Sequence, residues 1–163
     1  MTDPNTIGAL WQYMVHADGE MLKAAATLPE EGFFREQGIS VGSAHKLLVH
    51  AVAAQRIWLE RLRGKDVRQM VSPQDLPTLA AIETAWGPLH AELLQFAAQQ
   101  TPESLTAILH GKNTKGIPFA LPVGAVMHHV ADHATYHRGQ LNSMIKLAGG
   151  TPSPVMLYHW AMR

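Results

Sequence analysis

PVGAVMHHVADHATYHRGQLNSMIKLAGG, residues 122–150, is the stretch on which the fold turns. An advance of about 100° per residue places Val126, Val130, His133, His137, Leu141, Met144 and Ala148 on one stripe roughly 80° wide. Proline at the start and Gly149-Gly150 at the end are the usual limits of a helix, so one is predicted from about 122 to 148. His133 and His137 fall within the apolar stripe, His129 and Gln140 flank it, and His128 points nearly the opposite way, toward solvent. Histidines four apart stack one turn above the other, which is the separation of a chelating pair. The pair alone is a weak signal, and reads more readily as two hydrogen-bonded interior imidazoles. A third histidine on a facing helix would separate the two readings.

Residues 43–64, SAHKLLVHAVAAQRIWLERLRG, supply that candidate. Ser43 is an N-cap, Gly64 a left-handed end, and Leu47, Ala51, Ala54, Trp58 and Leu62 form the stripe between them. Arg61 and Arg63 suit the negative end of the dipole. His50 lies about 40° from Ala54, at the stripe's edge, where it can face a neighbour across a core. By the same wheel His45 points away from the stripe and is expected at the surface, as is His16 on the first helix. His90, His110 and His159 lack a partner at chelating spacing.

Working outward, Asp3-Pro4 opens a helix of about 4–27 carrying Ile7, Leu10, Trp11, Met14, Leu22 and Ala25 on one face. Leu28 to Gly42 reads as a loop. KDVRQMVSPQDLPT, residues 65–78, is a polar, proline-broken connection long enough to run from one end of a bundle to the other. A third helix, about 79–99, carries Leu79, Ile82, Trp86, Leu89, Leu93 and Phe96, with a kink expected at Gly87-Pro88. LTAILH and IPFALP, separated by GKNTKG, read as a small hairpin. Ser153-Pro154 opens a short last helix through Trp160. The four tryptophans and eight methionines read as core filling, and Glu60 and Lys46 as a solvated face.

Length and composition narrow the function. The 163 residues, 1–163, are expected to form one domain with a core that needs no staple. Thirteen basic against thirteen acidic residues give zero formal charge, which does not fit a phosphate-tracking nucleic-acid binder. The start lacks a signal-peptide pattern and no run of 18 apolar residues occurs, so a cytoplasmic chain without membrane contact is expected. Zero Cys excludes disulfides, thiolate metal sites and cysteine nucleophiles, whereas ten His favour a metal. Dinucleotide, phosphate-loop, nucleophile-elbow, His-Glu-x-x-His and di-iron carboxylate patterns are all missing from the sequence.

The segment HHVADHATYHRGQLNSMIKLAGG, residues 128–150, resembles the fourth-helix signature of the DinB/YfiT-like family, through His133, His137, Arg138, Gly139 and Gln140. Residues 43–64 resemble the family's Ser-capped second helix through Ser43, His50, Trp58 and Arg61. A looser likeness covers YMVHADGEMLKAAATLP, although His16 and Asp18 stand where the family often has Trp and Asn. The resemblance implies an all-α, up-up-down-down four-helix bundle, here with a hairpin-like insertion before the fourth long helix and a short C-terminal helix. It implies one divalent metal ion held by His50, His133 and His137, frequent homodimers, and neighbours that transfer or isomerise low-molecular-weight thiols.

Three imidazoles bound about 2.0–2.2 Å from Zn2+, Ni2+ or a similar ion would leave positions open for water or a substrate thiolate. The expected activity is thiol transfer by a low-molecular-weight thiol S-transferase, or hydrolysis, on a small-molecule substrate. No catalytic side chain is singled out beyond the metal site itself. The alternatives are a metal-stabilised binding or stress-response module without turnover, and a bundle whose histidines are merely buried.

Overall fold

The computed structural model describes residues 3–162. In chain order the elements are α1 (Pro4–Ala25), α2 (Glu30–Phe34), α3 (Ala44–Leu62), α4 (Leu79–Ala98), α5 (Pro102–Thr106), β1 (Ile108–Lys112), β2 (Pro118–Pro122), α6 (Val123–Leu147) and α7 (Leu157–Ala161). The cap residues act as expected: the Asp3 carboxylate accepts from the amides of Asn5 and Thr6, and Ser43 Oγ from that of Lys46. Gly64 and Gly149, both at positive φ, end α3 and α6. The hairpin pairs β1 with β2 antiparallel, Ile108 opposite Pro122. Its base delivers the Ala107 carbonyl to the Val123 amide, satisfying a first-turn donor of α6 that no side chain caps.

The four long helices form one bundle around a shared core that includes Trp11, Met14, Leu48, Val52, Ile82, Trp86, Leu89, Met127 and Met144. Contacts fix their directions. Trp11 donates to the Met127 carbonyl at 3.0 Å, and the Thr151 amide just beyond α6 donates to Thr27 Oγ1 at 2.7 Å, so α1 and α6 run parallel. Trp86 bonds Gln55 and Arg63 bonds Glu92, so α3 and α4 run parallel as well. Trp58 lies against His129 while Gln37, ahead of α3, reaches the Met144 carbonyl, which sets α3 antiparallel to α6. The order is therefore up-down-down-up, a correction to the up-up-down-down arrangement. The physical reason is the route of the connections: residues 26–43 turn at one end of the bundle, whereas 63–78 travels its whole length, Arg61 Nε bonding Val67 at one end and His45 bonding Leu76 at the other.

Several local expectations also change. The segment after α1 contains α2, with Phe33 buried, rather than loop alone. Leu105 belongs to α5, where Thr101 and Ser104 form a reciprocal capping box, and not to the hairpin. Helix α4 spans Gly87 and Pro88, as the sequence reading has it, with both on its exposed face. The last helix begins at Leu157 rather than after Ser153, because residue 153 is held in extended chain by two bonds to the Asn142 side chain. Met156 and Met162 are exposed rather than core filling. No helix among the described residues is long and apolar enough to cross a membrane.

Candidate metal centre

His50 projects from the middle of α3, and His133 and His137 from successive turns of α6. Where the two antiparallel helices pass, the three rings meet, with centroids 4.3 Å (His133–His137), 4.7 Å (His50–His137) and 5.2 Å (His50–His133) apart. Nε2 of His133 lies 3.4 Å from Nε2 of His50 and 3.1 Å from Nε2 of His137. One ligand nitrogen from each residue falls within 4.8 Å of the other two, a group that could hold a metal ion. Two imidazole nitrogens on a tetrahedral ion at about 2.0–2.1 Å stand roughly 3.3 Å apart, so the spacing fits.

The hydrogen bonds fit the same donor set. His137 Nδ1 lies 2.7 Å from Gln140 Oε1. An amide oxygen only accepts, so the proton is on Nδ1 and Nε2 turns a lone pair toward the other rings. Gln140 Oε1 also accepts from Ser40 Oγ at 2.8 Å. Ser40, at φ 51°, is the one non-glycine residue with positive φ among those described, and its bond ties the loop before α3 to α6. Hydrogen bonding alone serves the trio poorly. A proton on His133 Nε2 satisfies His137 and leaves the His50 nitrogen facing a donor already engaged.

Burial first, and then the neighbouring rings of His137, His50 and His129, push the His133 imidazolium down to a pKa of about 4. Burial and the His137 ring lower that of His50 as well. Both rings are therefore neutral at neutral pH, the form in which imidazole binds metal. The trio is only half-buried, and solvent reaches it past Tyr136, which is 63% exposed and edges onto His137.

The wheel centred the buried face of α6 too far toward these histidines. Met127, Ala131, Ala134, Arg138 and Ile145 are buried with the predicted Val126, Val130, Leu141 and Met144, and His133 and His137 sit on the flank that faces α3. His128 is half-buried rather than solvated, while His129 is exposed and packs its ring on Trp58. His45, expected at the surface, is 6% exposed: its Nε2 donates to the Leu76 carbonyl at 2.7 Å beneath Phe33 and Phe34. His16 is half-buried in a cleft with Glu20 and His159. The supporting roles of Ser40 and Gln140 escaped the sequence reading. Gln140 carried a usable signal, three residues after His137 on the same helix; Ser40 carried none.

Behind the site, Arg138 turns away from it into the core. Its guanidinium lies 3.9 Å from the Asp18 carboxylate, donates to Thr135 Oγ1 at 2.6 Å and covers the Tyr13 ring. Asp18, 2% exposed, accepts from Gln55 Nε2 at 2.6 Å, and Gln55 Oε1 accepts from Trp86. Arg138 is thus a buried charge of the bundle and not a member of the trio.

A model of the DinB family matches residues 1–162 of the chain. The chain is 24% identical over 152 residues to the protein described as Protein DinB of Bacillus subtilis (strain 168), covering 89% of this chain and 87% of that protein. Its fold is similar to the crystal structure of a DinB-like protein from Bacillus cereus ATCC 10987, with a TM-score of 0.67 at 19% identity, covering 90% of this chain and 93% of the other. With the bundle, the histidine trio and a family match over nearly its whole length, the chain belongs to the DinB family.

Proposed function

We propose that the chain binds one divalent metal ion, Zn2+ or Ni2+ before others, through His50, His133 and His137, and works as a metal-dependent enzyme on a small molecule by thiol transfer or hydrolysis. The observation that carries this reading is the convergence of three imidazole Nε2 atoms, one of them on a ring held by Gln140, at a half-buried place. When bound, such an ion acts as a Lewis acid that lowers the pKa of a coordinated water or thiol toward neutrality. The chain's own residues supply the rest. Gln140 holds the His137 tautomer, Ser40 holds Gln140, and Trp58 and His129 wall the side nearest the hairpin. Three neutral ligands leave the ion's double charge uncompensated, which favours an anionic substrate atom. With no Cys in the chain, a sulfur nucleophile has to arrive on a small thiol.

A non-catalytic, metal-stabilised binding or stress-response module is the second reading. It is favoured by the position of the trio, which joins helices 83 residues apart in sequence and would cross-link them. Assembly as a homodimer belongs to the same proposal, supported by the exposed Leu157, Tyr158 and Met162 at the C-terminal end, as does the action of the chain as a single domain.

Elemental analysis of chelator-stripped and reloaded wild type, beside His50→Ala, His133→Ala and His137→Ala, tests the metal site. One equivalent in wild type and loss in each folded variant are expected. Wild type that stays metal-free in Zn2+ and Ni2+ would leave a buried histidine cluster. Metal retained without thiol-dependent or hydrolytic turnover supports the module, and sedimentation at 17.9 kDa at high concentration would overturn the dimer.

A further inference from the structure

Helix α3 is flanked on one side by the 63–78 connection, and between them lie two adjoining cavities. The first, about 230 Å3, is lined by Val41, Lys46, Val49, His50, Ala53, Met70, Val71 and Pro73. The second, about 280 Å3, continues from it through Ala53 and Val71 to Arg56, Ile57, Glu60, Val67 and Gln69. Together they make a groove whose floor, Val49, Ala53 and Ile57, is buried, and whose roof is Met70 and Val71. Polar groups mark its far end, where Arg56 and Glu60 stand.

The groove touches the histidine trio at one residue and adjoins the chain that braces another. His50 is part of its wall. Val41, at its mouth, adjoins Ser40, which is bonded to the Gln140 that holds His137. Lys46 brings little free charge, because Glu36 pairs with its ammonium and leaves its methylene stem to line the wall. The surface on offer beside the trio is therefore aliphatic.

From this juxtaposition we infer that the substrate carries an elongated aliphatic body, which lies between α3 and Met70-Val71 while its reacting head sits at His50, His133 and His137. The occupant is a small molecule of apolar body and metal-seeking head, an alkyl thiol or its adduct. The apolar length has a limit: Arg56 lies six residues, a rise of roughly 9 Å, beyond His50 along α3. This inference rests on the metal reading proposed above.

The test uses cobalt(II)-loaded protein without oxygen and a series of unbranched alkanethiols, each binding as thiolate with its proton released to buffer. Binding is read from the thiolate-to-cobalt absorption in the near ultraviolet. Affinity should rise about fourfold for each added methylene, the value for taking one CH2 group out of water, and level off once the chain outgrows the groove. Ala53→Leu, which fills the floor, and Val71→Ser, which makes the roof polar, should keep cobalt and ethanethiol binding but flatten the dependence on chain length. Two variants on opposite walls guard against one that misfolds. Wild type that binds ethanethiol with no gain from longer chains, or variants with the wild-type dependence, would overturn the groove. Wild type that takes up no cobalt overturns the metal reading and this inference with it.

Discussion

Replacing Asp18 by alanine should damage the bundle more than any comparable change at its surface. Among the described residues the carboxylate is the one acidic group beside the Arg138 guanidinium, at 3.9 Å, and it accepts the Gln55 amide at 2.6 Å, with His90 Nε2 at 3.5 Å. Both Asp18 and Arg138 are buried. Asp18→Ala leaves Arg138 with the Thr135 hydroxyl and the Tyr13 ring but no counter-charge, and leaves the Gln55 donor without its acceptor. Breaking one side of a buried pair costs about 3–5 kcal/mol. The 3.9 Å contact is not a direct hydrogen bond, which places the ionic part low in that range, and the stranded Gln55 donor adds about 1–3 kcal/mol. A total of about 4–6 kcal/mol corresponds to a fall in Tm of roughly 8–24 °C for a chain of this size. The assay is urea unfolding of chelator-treated protein followed by circular dichroism, so that bound metal does not contribute. Asp18→Asn, which keeps an acceptor for Gln55 and removes only the charge, should fall between wild type and alanine. An alanine variant within about 1 kcal/mol of wild type would refute the view that Asp18 compensates Arg138.

Gln140→Leu should weaken metal binding roughly 10- to 100-fold by releasing the His137 tautomer, with Ser40→Ala smaller in the same direction; competition with a coloured chelator reads both, and equal affinities would remove Gln140 from the site. Metal-free protein should lose stability on acidification. His133 has a folded pKa of about 4 against an ordinary 6.5, so the unfolded chain takes up its proton first, and the contribution present above pH 6.5 fades as pH falls toward 4. Denaturation midpoints in His133→Gln with the wild-type acid slope would count against this. Gly150→Ala should destabilise by about 1–3 kcal/mol, since its Cβ would meet Leu28, Ile145 and Thr27 at 2.8–2.9 Å. Gly8→Ala, in α1 with nothing within 4 Å of the new methyl, should stabilise by about 0.5–1 kcal/mol; thermal melts giving one sign for both would break the argument.

The long helices and the histidine pair could be read from residues because both depend on period alone: apolar side chains every three or four positions, ring over ring at four. What escaped depends on neighbours that period does not name. His45 points away from the apolar stripe of α3, and a wheel with one core sends it to solvent. In the folded chain the 63–78 connection builds a second covered flank there, and Leu76 offers His45 a carbonyl. Helix direction was likewise hidden, because it follows from which of two polar connections runs lengthwise. Asp18 reads as a hydrophilic position on α1 until Arg138 is known to arrive opposite it, 120 positions later.

If the chain is the enzyme proposed, the 63–78 connection also separates two kinds of change that most enzymes must make together. It contributes no long helix and no strand, and Val71 and Leu76 are its members packed on the core. Gly64 and Thr78 also end α3 and cap α4, and Arg63 and Lys65 pair with Glu92 and Glu60, so the part free to vary in size and polarity is residues 66–75 without Val71. On the proposed function, a lineage built on this plan could retool what it accepts by rewriting one stretch of chain while the histidine centre, set in α3 and α6, is inherited intact.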